Sequence, residues 1–170
     1  MTIAIQVTDL TKTFSDLTAV NHISFEITQG EIFGLLGPNG AGKTTTLSML
    51  ATMQKPTSGF ATVQGRDIQK DEDGVRKAIG IVFQDQSLDE ELTARENMDF
   101  HGRLYRLPPE IRRQRIDELL QLVELHDRKD DLVKTFSGGM RRRLEIARGL
   151  LHHPSVLFLD EPTLGLDPQT

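Results

Sequence analysis

A glycine-rich segment that ends in Lys-Thr is the feature that most constrains this sequence. Residues 37–44 read Gly-Pro-Asn-Gly-Ala-Gly-Lys-Thr and fit the pattern G-x-x-x-x-G-K-[ST] at each fixed position. Glycines let the backbone curl so that successive N–H groups point inward, and a following helix presents its positive N-terminal end to an anion. The apolar run 31–36 before the segment predicts a fully buried strand, and good helix formers over 43–53 predict a helix. Strand, loop and helix together predict a phosphate-binding loop rather than a turn that binds nothing.

Each residue type in this loop has a defined task towards ATP. We expect the backbone to hold the phosphates, Lys43 to neutralise the β- and γ-phosphates, and the Thr44 hydroxyl to ligate Mg²⁺. The residues predicted to bind nucleotide here are Gly37, Pro38, Asn39, Gly40, Ala41, Gly42, Lys43, Thr44 and Thr45.

A second candidate feature is the apolar run 156–159, which ends at Asp160 and Glu161. A buried strand would carry Asp160 to its end, where the carboxylate suits Mg²⁺. Glu161 would point instead at the γ-phosphate and orient or deprotonate the attacking water. Alone, such a run usually marks only a strand that meets solvent. Together with the loop it predicts the second half of an ATP site.

The rest of the chain alternates strands with helices. Strands are predicted at 3–7, 23–27, 60–63 and 79–83, the third followed by a turn at Gly65. From 92 to about 133 the pattern is helical, with Thr93 and Glu96 at capping-box spacing. Ser137 stands at an N-cap position before a helix that Pro154 closes. This order predicts an α/β core that carries a helical insert.

Composition excludes several functions. The net charge of -5 argues against a protein that holds nucleic acid mainly through phosphates. The absence of cysteine excludes disulfides and thiolate metal sites. The longest apolar stretches are too short to cross a bilayer, so a membrane role would have to come through a partner.

The segment 137–144, Ser-Gly-Gly-Met-Arg-Arg-Arg-Leu, resembles the signature of ABC ATPases, whose common form is Leu-Ser-Gly-Gly-Gln. Phe136 and Met140 depart from that form but suit the drug-exporter branch, which is typified by daunorubicin-resistance ATPases. A serine N-cap followed by Gly138 and Gly139 leaves helix-terminal N–H groups open to an anion. For this segment alone, a capped helix with a basic, solvated face remains an equal alternative.

The resemblance covers nearly the whole chain and implies further site residues. Phe14 matches the aromatic residue that stacks on adenine, and Gln84 matches the Q-loop glutamine that reaches the metal or water. Residues 162–168 resemble the D-loop, whose acid, Asp167, crosses to the partner subunit. A switch histidine should follow after a further helix and strand, beyond Thr170. His152 and His153 precede the second acid run and cannot take that role.

The fold implied by the resemblance is an α/β P-loop NTPase core with a mixed or parallel sheet, an N-terminal antiparallel β region and a helical subdomain. We expect one partial nucleotide-binding domain over residues 1–170, with the remainder absent from the sequence. Its parts are the β-rich P-loop core, the helical subdomain, and the signature helix with second acid run and D-loop, at 1–84, 85–135 and 136–170. We expect this chain alone to hydrolyse little ATP.

The function implied is that of the ATP-hydrolysing subunit of an ABC transporter. It would power export of a drug-like, lipid-like or other substrate through a separate transmembrane permease, on the cytoplasmic side of the membrane. It would act as a homodimer, or with a paired ATPase subunit, around composite ATP sites. The surface 84–97 would contact the permease, and no nucleic acid partner is expected.

Other ATPase classes fit less well. A soluble ABC-type ATPase that acts on nucleic acid or the ribosome is the main alternative. Such proteins typically carry a long coiled-coil insert or two cassettes, whereas 84 and 137 are joined here by a short insert without sustained heptads. A nucleotide kinase or switch GTPase would have no reason to carry the Ser-Gly-Gly helix start.

Overall fold

The structure, a computed structural model, describes residues 2–83 and 87–160 of the 170-residue chain. The chain divides into two compact units, Met1–Ile79 and Gly80–Thr170. Nothing in the described part of either unit is both long and apolar enough to be a helix that spans a membrane.

The first unit is built on a four-stranded antiparallel sheet with the order β2-β1-β3-β4. Its strands are β1 (Ile3–Phe14), β2 (Leu17–Thr28), β3 (Ser58–Val63) and β4 (Arg66–Asp67). Between β3 and β4, Gln64 and Gly65 both have positive φ angles, 51° and 71°. This is the geometry of a two-residue type I′ hairpin turn, which matches the twist of the strands it joins. The strands predicted at 3–7, 23–27 and 60–63 are confirmed, although β1 and β2 extend beyond the predicted limits.

Apolar side chains of β1 form part of the buried interior of this unit. Ile5 and Val7 are 2% exposed and Leu10 is fully buried. On β3, Ala61 and Val63 are also buried. Of the four strands of this sheet, β1 therefore contributes most of the buried apolar side chains.

Two helices complete the first unit: α1 (Lys43–Leu50) and α2 (Glu72–Ala78). The predicted helix 43–53 is confirmed but stops at Leu50, and Thr52 has a positive φ of 61°. Helix α1 packs against β2 and β3. Helix α2 was not predicted. Asp71 caps it by accepting a hydrogen bond from the Gly74 N–H at 3.0 Å.

The prediction of a buried strand at 31–36 is wrong for the described residues. This segment has no regular secondary structure, and Ile32 and Leu36 are 101% and 94% exposed. A turn at Gln29 and Gly30 precedes the segment instead, and the Glu31 carboxylate accepts hydrogen bonds from the N–H and the hydroxyl of Thr28. An apolar run becomes a buried strand only when neighbouring strands and covering layers surround it. None of the described strands pairs with 31–36.

In its described part, 80–83 and 87–160, the second unit combines three helices with a two-stranded sheet. Strand β5 (Ile79–Val82), which begins at the unit boundary, pairs with β6 (Val156–Leu159). Between them lie α3 (Ala94–Leu104), α4 (Pro109–Leu122) and α5 (Gly138–Gly149), with short 3₁₀ turns at His126–Arg128 and Val133–Thr135. The predicted strands, helical insert and final helix are confirmed. The expectation that β6 is wholly buried is wrong, because Phe158 is 6% exposed but Leu159 is 39% exposed.

Apolar residues of the three helices pack into one core. Met98 of α3, Leu120 of α4 and Leu144 of α5 are all fully buried in this cluster. The predicted capping box holds the start of α3, because the Thr93 hydroxyl accepts from the Glu96 N–H at 3.2 Å and Glu96 accepts from the Thr93 N–H at 2.8 Å. Helix α5 packs against both α3 and α4. The insert and the segment 137–144 therefore belong to one packed unit.

Candidate functional site

The glycine-rich loop leads directly into α1. Gly40 and Gly42 have positive φ angles of 83° and 85°, and the Ala41 N–H donates to the Pro38 carbonyl at 3.2 Å. Gly42 is the N-cap of α1, and its carbonyl accepts from the Thr46 N–H at 2.8 Å. The first N–H groups of a helix have no intrahelical acceptor. The loop therefore ends where a helix offers donors to an anion.

Gly42 is required at its position by close packing as well as by its φ angle. A Cβ at residue 42 would lie 2.2 Å from the carbonyl oxygen of Ala19 in β2. That oxygen belongs to the backbone and cannot rotate away. The neighbouring strand thus restricts residue 42 to glycine.

Lys43, the first residue of α1, folds back over the loop. Its Nζ donates hydrogen bonds to the carbonyl oxygens of Gly37 and Pro38, both at 2.8 Å. The structure thus brings together the first two residues and the lysine of the predicted loop. Thr44 and Thr45 follow in the first turn of α1, where Thr44 is exposed.

A cavity of about 340 Å³ adjoins the loop within the first unit. On one side it is lined by residues of β2, and on the other by Leu35, Leu36, Ala41, Gly42, Lys43 and Thr46. Lys43 supplies a positive charge at this cavity. The loop, its lysine and a concave surface therefore occur together.

Phe14 lies at the end of β1 and is 42% exposed. The Lys12 Nζ lies over the ring, 4.9 Å from its centroid, and donates to the Lys55 carbonyl at 2.8 Å. A cation over one face of an aromatic ring is a favourable contact. Phe14 is thus an exposed, oriented ring rather than a core side chain.

Helix α5 begins as the sequence predicts. The Ser137 side chain caps it by accepting from the Met140 N–H at 3.3 Å. A Cβ added at Gly138 or Gly139 would meet nothing within 4 Å. The two glycines therefore leave open space over the first turn of the helix.

The capped helix of that alternative is present, but the three arginines that follow do not all point into solvent. Arg141 donates to the carbonyls of Phe136 and Lys134, each at 3.2 Å. Arg142 is buried, with 6% exposure. Arg143 donates to the Val123 carbonyl at 3.0 Å. Each guanidinium donates hydrogen bonds to acceptors within the second unit.

Asp160 follows β6 and is 6% exposed. Its N–H donates to the Val82 carbonyl at 3.0 Å, and its own carbonyl accepts from Arg142 Nη2 at 3.2 Å. The backbone N–H and carbonyl of Asp160 are therefore both hydrogen-bonded. Gln84, Glu161 and Asp167 lie outside the described residues.

The predicted site residues are distributed over both units. Phe14 and the loop 37–45 belong to the first, and Ser137–Gly139 and Asp160 to the second. Within the described ranges 2–83 and 87–160, no three His, Asp or Glu side chains cluster as a metal site would require. The donors predicted for Mg²⁺, the Thr44 hydroxyl and the Asp160 carboxylate, are nevertheless the hard oxygen ligands that this ion prefers.

Sequence reasoning missed three charged residues of α5: Arg142, Glu145 and Arg148. Arg142 and Glu145 form a buried pair, with Nη1 and Oε2 3.4 Å apart. Burial lowers the pKa of Arg148, and the Glu145 carboxylate opposes that shift. Opposite charges three residues apart, among the apolar positions of a helix, were the available signal.

A family model described as "ABC transporter" matches residues 20–164 of the 170. The chain belongs to the ABC transporter family. Its relatives include the daunorubicin resistance ATP-binding protein DrrA3 of Streptomyces coeruleorubidus, 44% identical over 98% of this chain and 52% of that protein. The linearmycin resistance ATP-binding protein LnrL of Bacillus subtilis (strain 168) is 45% identical over 98% of this chain and 53% of that protein. This ABC family member therefore spans about half the length of the curated relatives that it matches.

Solved structures of the ABC family share the fold. CbiO1 of Clostridium perfringens, described as part of the ABC transporter complex cbiONQ, superposes with a TM-score of 0.88 at 33% identity, over 99% of this chain and 69% of that one. An ATP-binding subunit of an ABC transporter gives 0.87 at 28% identity, over 97% and 69%. The predicted α/β P-loop NTPase fold of this ABC chain, and its resemblance to the daunorubicin-resistance branch, are confirmed.

Proposed function

We propose that this chain is the ATP-binding and ATP-hydrolysing part of an ABC transporter subunit. The observation that carries the proposal is the loop 37–44, whose lysine is bonded to the loop carbonyls at the start of α1. In a member of the ABC family, this arrangement supports binding of a nucleoside triphosphate through its phosphates.

Each predicted residue has a role in this proposal. Gly37–Thr45 hold the phosphates, and a planar base stacks on the face of Phe14 opposite Lys12. Thr44, Gln84 and Asp160 would hold Mg²⁺, which when bound would supply positive charge to neutralise the phosphates. Glu161 accepts a proton from the attacking water, and Gln84 orients that water.

The proposed assembly is a dimer of two such subunits. The helix start Ser137–Gly139 of one subunit meets the nucleotide held by the loop of the other, because the open first turn of α5 favours an anion. Asp167 crosses to the partner subunit. The dimer binds a transmembrane permease on the cytoplasmic side and powers export of a drug-like or lipid-like substrate. The resistance proteins DrrA3 and LnrL support this choice of substrate class.

The first test measures ATP binding by the purified protein. Lys43→Ala should weaken ATP binding at least tenfold in a direct titration, because the phosphates lose their lysine. Lys70→Ala, whose side chain is 84% exposed, is the matched control and should bind like wild type. Unchanged affinity in Lys43→Ala would contradict the nucleotide site.

Hydrolysis is tested separately from binding. Glu161→Gln should retain ATP binding and lose about a hundredfold or more in kcat, because an amide cannot accept the proton. Glu110→Gln, in the first turn of α4, is the control. Wild-type turnover in Glu161→Gln would show that Glu161 is not the base.

A further inference from the structure

Three of the five charged side chains of helix α5 stand at positions 142, 145 and 148, spaced three residues apart along the helix. Arg142 and Glu145 are 6% and 2% exposed. Charged side chains are almost never buried to this extent unless they are paired. Their mutual contact, 3.4 Å between Nη1 and Oε2, satisfies only part of their hydrogen-bonding capacity. Both Arg142 Nη atoms and the Glu145 Oε1 also bond to backbone groups outside the helix, whereas the buried Arg142 Nε has no hydrogen-bond partner among the described residues.

Those backbone groups flank the segment 84–86. The Glu145 Oε1 accepts from the Ser87 N–H at 2.8 Å. Arg148 donates to the Ser87 carbonyl at 2.7 Å and also to its hydroxyl. On the other side of 84–86, Arg142 donates to the Phe83 carbonyl. The two described residues that border this segment are therefore both bonded to one helix.

Arg142 also reaches the end of β6. Its Nη2 donates to the Asp160 carbonyl at 3.2 Å, while the Asp160 N–H donates to Val82 at 3.0 Å. The backbone of Asp160 is thus fixed by β5 on one side and by a guanidinium on the other. One side chain joins the ends of two neighbouring strands, because Phe83 directly follows β5.

We propose that Arg142 is a positioning residue, oriented by Glu145, that fixes the backbone of Asp160 against that of Phe83. The inference rests on the proposed function, in which Asp160 ligates Mg²⁺. A catalytic group must be held within about 0.5 Å of its productive place, and a displacement of about 1 Å can cost about 10²-fold in rate. The planar guanidinium suits this task because its two Nη atoms reach two different carbonyls, which a single ammonium does not reproduce.

The experiment measures the Mg²⁺ dependence of ATPase activity in the full-length protein. Arg142→Gln should lower kcat at least tenfold and raise the half-saturating Mg²⁺ concentration at least threefold. The affinity for a fluorescent ATP analogue in EDTA should stay within twofold of wild type. A merely structural role would lower the active fraction and leave the half-saturating Mg²⁺ concentration unchanged.

The control is Arg143→Gln, the same change one residue further along α5. Arg143 bonds to the Val123 carbonyl and to Glu124, at 3.0 and 3.1 Å, and touches neither strand end. Its kcat and Mg²⁺ dependence should stay within twofold of wild type. Arg142→Lys should resemble Arg142→Gln, and its full recovery of both values would contradict the two-carbonyl geometry.

Arg142→Gln leaves Glu145 buried without its charged partner and could therefore fail to fold. In that case a second variant tests the positioning role of Arg142. Arg142→Met with Glu145→Leu removes both charges, and apolar replacement of a buried ion pair is often neutral or stabilising. This double variant should fold and show the same defect in Mg²⁺ dependence. A folded variant with the kcat and Mg²⁺ dependence of wild type overturns the inference. The proposed function is judged independently, by whether wild type hydrolyses ATP.

Discussion

His101 shows how the interior of the second unit alters a single ionisable residue. It lies in α3 beside Tyr105, with ring centroids 4.9 Å apart, and Tyr105 stacks on His152 at 3.8 Å. Burial, followed by the positive charges of Arg148 and His152, lowers the pKa of His101 to about 4. The folded protein therefore holds this imidazole neutral at pH values where a solvated histidine would be charged.

This shift predicts a loss of stability in mild acid. Because the folded pKa of His101 lies below its usual value of 6.5, the unfolded chain takes up a proton first as the pH falls. The contribution of neutral His101 to the free energy of unfolding is fully present above about pH 6.5 and is lost between there and pH 4. At pH 5 the free energy of unfolding is lower by about 2 kcal/mol. Urea unfolding at pH 7, 6 and 5 measures it.

His101→Gln should flatten this pH dependence, because the titrating group is removed. The exposed His153 provides the control, and His153→Gln should keep the wild-type slope. Parallel pH profiles for wild type and His101→Gln would show that His101 is not the source.

Helix α3 shows how one element depends on the residue before it. Thr93→Ala removes the hydroxyl that accepts from the Glu96 N–H, so the stability of the second unit should fall by about 1 kcal/mol. Thermal or denaturant unfolding measures the loss. Thr93→Ser retains the oxygen and should stay near wild type. Equal destabilisation by serine and alanine would mean that the methyl group, not the cap, is responsible.

The accuracy of sequence-based prediction differed between elements for physical reasons. The start of α3 and the loop before α1 depend on neighbours in sequence, so their patterns predicted them correctly. Helix α2 was missed because its seven residues bury only Val75 and offer no apolar periodicity. The strand expected at 31–36 failed because burial of a strand depends on distant partners.

The candidate site follows the same rule. The loop 37–44 and the Ser137 cap are local motifs and could be recognised from residue types alone. The spacing of Arg142 and Glu145 indicates a charged pair but not what it contacts, because its other partners are backbone atoms of Phe83, Ser87 and Asp160, which are remote in sequence. The type of a residue does not predict which distant backbone carbonyl its side chain will bond to.

At the scale of the whole molecule, the division into two units makes a prediction about cooperativity. Leu10 in the first unit and Leu120 in the second are both fully buried. Leu10→Ala and Leu120→Ala should each cost about 2–5 kcal/mol. Because each leucine belongs to a different compact unit, hydrogen exchange should accelerate mainly within 2–79 for the first variant and within 80–160 for the second. Uniform acceleration across the chain in both variants would show a single cooperative unit.

The hydrogen bonds of Lys43 link the charge of the loop to the rigidity of its backbone. An ammonium has three N–H donors, and two of them are used by the Gly37 and Pro38 carbonyls. The group that would attract phosphate therefore also stiffens the backbone that would receive it. Any anion that draws this ammonium away from the carbonyls loosens the loop, whereas one that takes only the third donor leaves it rigid. Selectivity among anions would thus depend on where the charge sits as well as on its amount.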